Sequence, residues 1–190
     1  MAIKKLALPV GGILAATIIV VFLVGSRGGD DASSFRVEGQ VQNFLLGNRP
    51  RPDAHWRSGE GAKVSLADFT GKVVMVNFWA TWCAPCIREL PSINRLQAVL
   101  GGDDFTVVAI NIDTGGEAVA ALFSRRLKIS NLDLYIDPRG TTSRAMGVNV
   151  MPTTVIYDRG GQEVGRLEGG AEWDSPEALA LLQWFINDTG

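Results

Sequence analysis

The spacing of apolar positions divides this chain into stretches of different kinds. Leu6 to Val24 runs for 19 residues without a charge. Residues 25–50 are rich in Gly, Asp, Ser and Asn and keep no sustained period. Within them Gly28-Gly29-Asp30-Asp31 reads as a tether, Val41 to Leu46 as a short edge strand, and Asn48 to Pro52 as a loop. From about Trp56 the pattern becomes that of a folded domain. Ser58-Gly59-Glu60-Gly61 is a turn leading into Lys63 to Leu66. Lys72 to Trp79 is a near-continuous apolar run, as expected of a strand buried on both faces. Cys83 to Leu100 carries Leu90, Ile93, Leu96 and Leu100 at helical spacing, and Gly101-Gly102 stops it.

The second half continues in the same alternation. Phe105 to Ile112 is a second buried strand. Val119, Leu122, Phe123 and Leu127 mark a second helical stripe. Leu132 to Ile136 is expected as a third strand and Thr141 to Met146 as a short helical turn. Thr153 to Tyr157 and Val164 to Leu167 flank Arg159-Gly160-Gly161 and read as a hairpin. Ser175-Pro176 is a helix start, with the serine as cap and the proline at the first position. The order predicts an α/β fold, a mixed central sheet flanked by helices. Residues 1–29 form an N-terminal membrane anchor or signal segment, 30–55 a linker and N-terminal β extension, and 56–190 the main domain.

The first 29 residues change the reading of location. Lys4 and Lys5 precede an apolar run close to the ~30 Å span of a bilayer at 1.5 Å per residue. Basic residues before the run place the N-terminus in the cytoplasm and the domain outside. A cleaved secretory signal is the alternative, but its apolar core is usually shorter. Without Lys4, Lys5 and Arg27, 15 of the 18 basic residues stand against 20 acidic ones. So acidic a domain gives no footprint for nucleic acid.

Two cysteines and one histidine, His55, bound the chemistry. A disulfide-rich scaffold is excluded. In Trp82-Cys83-Ala84-Pro85-Cys86 the pair falls where a buried strand turns into a helix. Cys83 at the helix N-terminus meets unpaired N–H groups, which favour its thiolate. Cys86 lies one turn on, placed to resolve a mixed disulfide formed at Cys83. Pro85 suits an early helical position. A zinc site would need more ligands than His55 supplies. A structural disulfide closing so small a loop would constrain the unfolded chain little.

Val76 to Cys86 and Arg88-Glu89-Leu90-Pro91 resemble the TlpA/ResA/DsbE branch of the thioredoxin superfamily. Val64 to Lys72, Val107 to Asp113 and Gly147 to Thr153 are similar to it as well. The resemblance spans about residues 56–188 and implies a thioredoxin fold. It implies a cis bond before Pro152, lying against the cysteines, with Met151 tuning partner choice. Trp82, Ala84, Pro85, Met151 and Pro152 are then the substrate-binding residues. Pro91 matches the family's kink in the first helix. Thioredoxins proper carry a buried aspartate where Asn77 stands and a lysine on the neighbouring strand, which is missing from Val107 to Ile112. The branch often has an acid at the position of Glu89, which makes Glu89, with Cys83 and Cys86, a catalytic candidate, as proton acceptor for Cys86. The alternative is a solvated surface glutamate.

The resemblance implies a protein-disulfide reductase facing the periplasm, anchored by one pass in the inner membrane. It needs no cofactor or metal beyond the redox-active Cys83–Cys86 pair. Its clients would be exported proteins of cytochrome oxidase copper-site assembly, a choice favoured by the TlpA-like segment Gly170-Ala171-Glu172-Trp173, or else apocytochrome c. Electrons would come from a membrane thiol carrier of the DsbD/CcdA type. A Sco-type copper chaperone would need a wider cysteine pair and a histidine within the fold. A peroxiredoxin would need a single peroxidatic cysteine in another loop context.

Overall fold

A computed structural model describes residues 39–188; the anchor segment read at 1–29 lies outside them. Among the described residues no helix is long and apolar enough to cross a membrane. An eight-stranded mixed sheet runs through them, built from β1 (Leu45–Arg49), β2 (His55–Ser58), β3 (Lys63–Ser65), β4 (Val73–Trp79), β5 (Phe105–Asn111), β6 (Tyr135–Ile136), β7 (Thr153–Tyr157) and β8 (Glu163–Glu168). Their spatial order is β1-β8-β7-β4-β5-β6-β2-β3. β4, β5 and β6 are parallel, and all other pairs are antiparallel. The helices are α1 (Ala84–Leu100), α2 (Gly116–Arg126), α3 (Thr141–Ala145) and α4 (Pro176–Asn187).

All seven residues of β4 are buried, as its apolar run predicts. Alternation along the strand sorts them into two cores. Val73, Met75 and Trp79 pack with Leu90, Ile93 and Leu96 of α1 and with Leu181, Leu182 and Phe185 of α4. Val74, Val76 and Phe78 face a second core with Val155 and Tyr157, closed by Trp56, Leu66, Tyr135 and Met146. The long helices therefore cover one face. The other is covered by the β2–β3 hairpin and short α3. Asn77, on the same parity as Met75 and Trp79, is turned toward the α1 side.

Several boundaries differ from those read in the sequence. The edge strand is Leu45–Arg49 rather than Val41–Leu46, because Gly39–Val41 winds into a 3₁₀ turn that buries Val41. Asn48 and Arg49 are thus strand, not loop. β2, unread in the sequence, pairs with β3 across the Gly59-Glu60 turn. β6 contracts to Tyr135–Ile136, held by two residues of β5. On α2 the inward line runs through Gly116 and Ala120 to Phe123 and Leu127, and Leu122 is 59% exposed.

β1 approaches β8 so closely that Gly165 has no room for a side chain. A Cβ there would lie 2.3 Å from Phe44 Cε1 and 2.9 Å from the Leu45 carbonyl oxygen. Gly165→Ala is expected to destabilise the domain by roughly 1–3 kcal/mol through overpacking, measured by denaturant unfolding.

Candidate active site

β4 ends at Trp79, and the chain turns through Ala80-Thr81-Trp82 into α1. That turn is fixed from the neighbouring strand. Asp113, just past β5, accepts from the Thr81 N–H at 2.9 Å and from its hydroxyl at 3.0 Å. Asn111 holds Asp113 in turn through its side-chain amide, at 2.7 Å. Cys83 follows as the cap residue of α1, with extended backbone angles. Its sulfur accepts from the Cys86 N–H at 3.3 Å, one of the donors that a helix start leaves unpaired. Pro85 occupies the first turn, where its missing N–H costs nothing.

Cys83 and Cys86 are joined by a disulfide, with Cα atoms 5.3 Å apart. Cys83 is 5% exposed and Cys86 fully buried, so Cys83 is the less deeply buried residue of the pair. Around them the surface is apolar and open. Trp82 is 66% exposed, Ala84 is exposed and Pro85 is half-buried. Met151 is half-buried and Val150 exposed on the loop that enters β7. The Met151–Pro152 bond is cis. Pro152 directly precedes Thr153, which pairs with Phe78 near the end of β4, the end that leads to Cys83.

One turn beyond the cysteines along α1 lies a buried carboxyl group. Glu89, one turn after Cys86, shares its face of α1 and is only 2% exposed. The alternative of a solvated glutamate is therefore excluded by burial. Its Oε1 accepts from the Asn77 side-chain amide at 2.8 Å, and its Oε2 from the Ala171 N–H at 3.1 Å. Asn77 also donates to the Thr154 hydroxyl at 2.9 Å. The segment before α4 is pinned to the same turn of α1. The Trp173 N–H donates to the Ser92 hydroxyl at 3.0 Å, which donates to the Glu89 backbone carbonyl at 2.7 Å.

Burial pushes the Glu89 pKa up from 4.5 to about 7. Hydrogen bonds from Asn77 and Ala171 pull the other way, and the Trp173 indole adds a weaker pull although its N–H finds no partner at normal length. Glu172 nearby adds a small upward push. A carboxyl group with a pKa near neutrality can take up or release a proton under physiological conditions.

The structure thus brings Cys83, Cys86 and Glu89 together on one helix end, and Trp82, Ala84, Pro85, Met151 and Pro152 are carried by the two segments at the end of β4. It adds Asn77, Thr154, Ala171, Ser92 and Asp113, none of which the sequence marked as site residues. Asn77 carried a signal, since it interrupts an otherwise apolar strand on the α1 side.

A thioredoxin-like sheet that feeds a buried strand into a Cys-X-X-Cys helix start defines a thiol:disulfide oxidoreductase. The AhpC/TSA family model matches residues 48–162. Over 146 residues the chain is 30% identical to the thiol-disulfide oxidoreductase ResA of Geobacillus thermodenitrificans, covering 77% of this chain and 81% of that one. It is 33% identical over 150 residues to the thioredoxin-like protein YneN of Bacillus subtilis, covering 77% and 84%. A crystal structure of a Chlorobium tepidum protein assigned as the thiol:disulfide interchange protein DsbE superposes with a TM-score of 0.62 at 33% identity, over 75% of this chain and 96% of that one. The chain belongs to the AhpC/TSA family, among its TlpA/ResA-like thiol:disulfide oxidoreductases.

The raised pKa of Glu89 has a consequence for stability. The native state keeps this proton to higher pH than the unfolded chain does. Between pH 4.5 and about 7 the native state binds more protons, so stability falls as pH rises through that window and then levels. The loss is expected to reach about 3 kcal/mol in wild type and to vanish in Glu89→Gln. Urea unfolding of the oxidised protein at a series of pH values measures it.

Proposed function

We propose that this oxidoreductase acts as a reductase of disulfides in exported proteins. Its N-terminal segment would hold it in the inner membrane with the catalytic domain in the periplasm. The observation that carries this reading is the cysteine at a helix N-terminus, with a second, fully buried cysteine one turn on and a buried carboxyl group of near-neutral pKa a turn beyond that. In the reduced enzyme the Cys83 thiolate attacks one sulfur of a client disulfide. The other client sulfur leaves as a thiolate. Glu89 accepts the proton of Cys86, whose thiolate then attacks the Cys83 sulfur of the mixed disulfide. The client departs with both sulfurs reduced, and the enzyme is left as the Cys83–Cys86 disulfide. No group beyond the two sulfurs carries the electrons.

Trp82, Ala84 and Pro85 on one side, and Met151 and Pro152 on the other, receive the client's extended chain. The clients are copper-site proteins of cytochrome oxidase assembly. What supports that choice is the TlpA-like segment Gly170 to Trp173, whose Ala171 reaches Glu89 itself. The wider resemblance of the sequence to the TlpA/ResA/DsbE branch makes apocytochrome c the second client class. A membrane thiol carrier of the DsbD/CcdA type returns the enzyme to its dithiol. A tether beside that carrier raises the effective concentration of both partners.

Equilibration in graded thiol buffers tests the direction. A reduction potential at or below about −200 mV is expected of a reductase, whereas a value near about −120 mV would make the protein an oxidant. Cys86→Ser is expected to trap client mixed disulfides at Cys83, visible as thiol-sensitive adducts. Glu89→Gln is expected to slow release of the mixed disulfide about 10²-fold and to remove one ionisation from the pH profile of that step. An unchanged rate and profile would remove Glu89 from the mechanism.

A further inference from the structure

We propose that Asp137 and Arg166 form a two-ended clamp that positions the loop carrying Met151 and Pro152 for client binding. The inference rests on the assignment of those two residues to the client-binding surface. The clamp grips α3, a helix of five residues, too short to persist unaided. At its N-terminal end lies the buried carboxylate of Asp137. One oxygen accepts from the Thr141 N–H at 2.9 Å and from its hydroxyl at 3.1 Å. The other accepts from the N–H groups of Thr142 and Ser143, both at 3.0 Å. Every early N–H of the helix is thereby paired. The Thr142 hydroxyl adds a bond to the His55 carbonyl at 2.6 Å, tying α3 to β2.

At the other end Gly147, at φ +67°, closes the helix. The Val148 N–H returns to the Ser143 carbonyl and the Gly147 N–H to that of Arg144, the two bonds of a Schellman ending. That ending leaves the carbonyls of Met146 and Gly147 without partners from the helix. Arg166 supplies the partner of Met146, its Nη2 donating at 3.1 Å, and its Nη1 reaches Gly147 at 3.4 Å, a carbonyl that it shares with the Asn149 side-chain amide at 3.2 Å. The rest of the guanidinium is held by Glu163, through Nε at 2.7 Å and Nη2 at 2.8 Å. Both side chains of this pair are buried.

A regular strand would point residues three apart to opposite faces. Here β8 carries a bulge. Tyr157 pairs with Glu163 but Ile156 with Gly165, so Val164 is the extra residue. The bulge turns Glu163 and Arg166 onto one face, toward the end of α3. A buried ion pair contributes little net stability compared with apolar packing. What apolar residues could not replace are the two N–H groups aimed at the loop carbonyls. Only residues 148–151 separate Gly147 from Pro152, so a shift at the grip is carried to the client-binding surface.

The test uses the full chain in detergent micelles, pre-reduced, and two thionitrobenzoate disulfides: a ten-residue peptide carrying the group on its single cysteine, and the symmetrical small-molecule disulfide. Release of the coloured thiol is followed by stopped flow. Arg166→Lys keeps the charge but loses the fork. It is expected to raise the half-saturating peptide concentration about tenfold, while the limiting rate and the rate with the small disulfide stay within about twofold. The Cys83–Cys86 reduction potential should not move. Asp137→Asn should act in the same direction, and it carries the test if Arg166→Lys fails to fold. An unchanged half-saturation overturns the clamp, as does an equal loss toward both substrates, which would mark a purely structural pair. Met151→Ala separates the two levels of inference. If it too leaves peptide saturation unchanged, the client-binding assignment has failed; if it alone weakens saturation, the clamp has failed.

Discussion

The burial of one carboxyl group organises the catalytic end of this protein. Glu89 lies on α1, and two other chain segments meet it directly, with a third behind Asn77. β4 contributes Asn77, β7 contributes Thr154 through Asn77, the segment before α4 contributes Ala171, and α1 carries the acid itself. Each contact offsets part of the cost of removing the group from water. None removes it fully, which is why the pKa stays near neutrality instead of returning to the ordinary carboxylate range. Thioredoxins proper keep an aspartate on the strand at the position of Asn77. In this chain the strand carries a neutral amide, and the buried acid hydrogen-bonded to it comes from the helix.

Much of this fold was legible because the central elements obey simple periods. The run from Val73 to Trp79 had to be buried on both faces, and Leu90, Ile93 and Leu96 had to face it. The cysteine pair, falling between those elements, was therefore placed correctly from sequence alone. The edges were less legible. β1, β2 and β6 are short, and their limits are set by partners distant in sequence. Leu122 has the right spacing for burial on α2, yet the neighbouring line through Ala120 faces the sheet.

The site showed the same division. Local chemistry marked Cys83, Cys86 and Pro85. The state of Glu89 was not readable, because its environment depends on Asn77, 12 residues away, and Ala171, 82 residues away. Burial of a glutamate runs against its usual place on the surface. The pairing of Glu163 with Arg166 was hidden for another reason. It depends on a bulge at Val164 that reverses strand parity, and the alternation of apolar residues does not announce an inserted position.

The two outer strands of the sheet carry a further meaning. β3 has three residues and begins with Lys63; β1 ends at Arg49 after an irregular register with β8. Short, charged and irregular borders are poor templates for adding another strand. For an enzyme whose substrates are disulfide-containing proteins, such borders keep a visiting chain from adding to the sheet as a further strand.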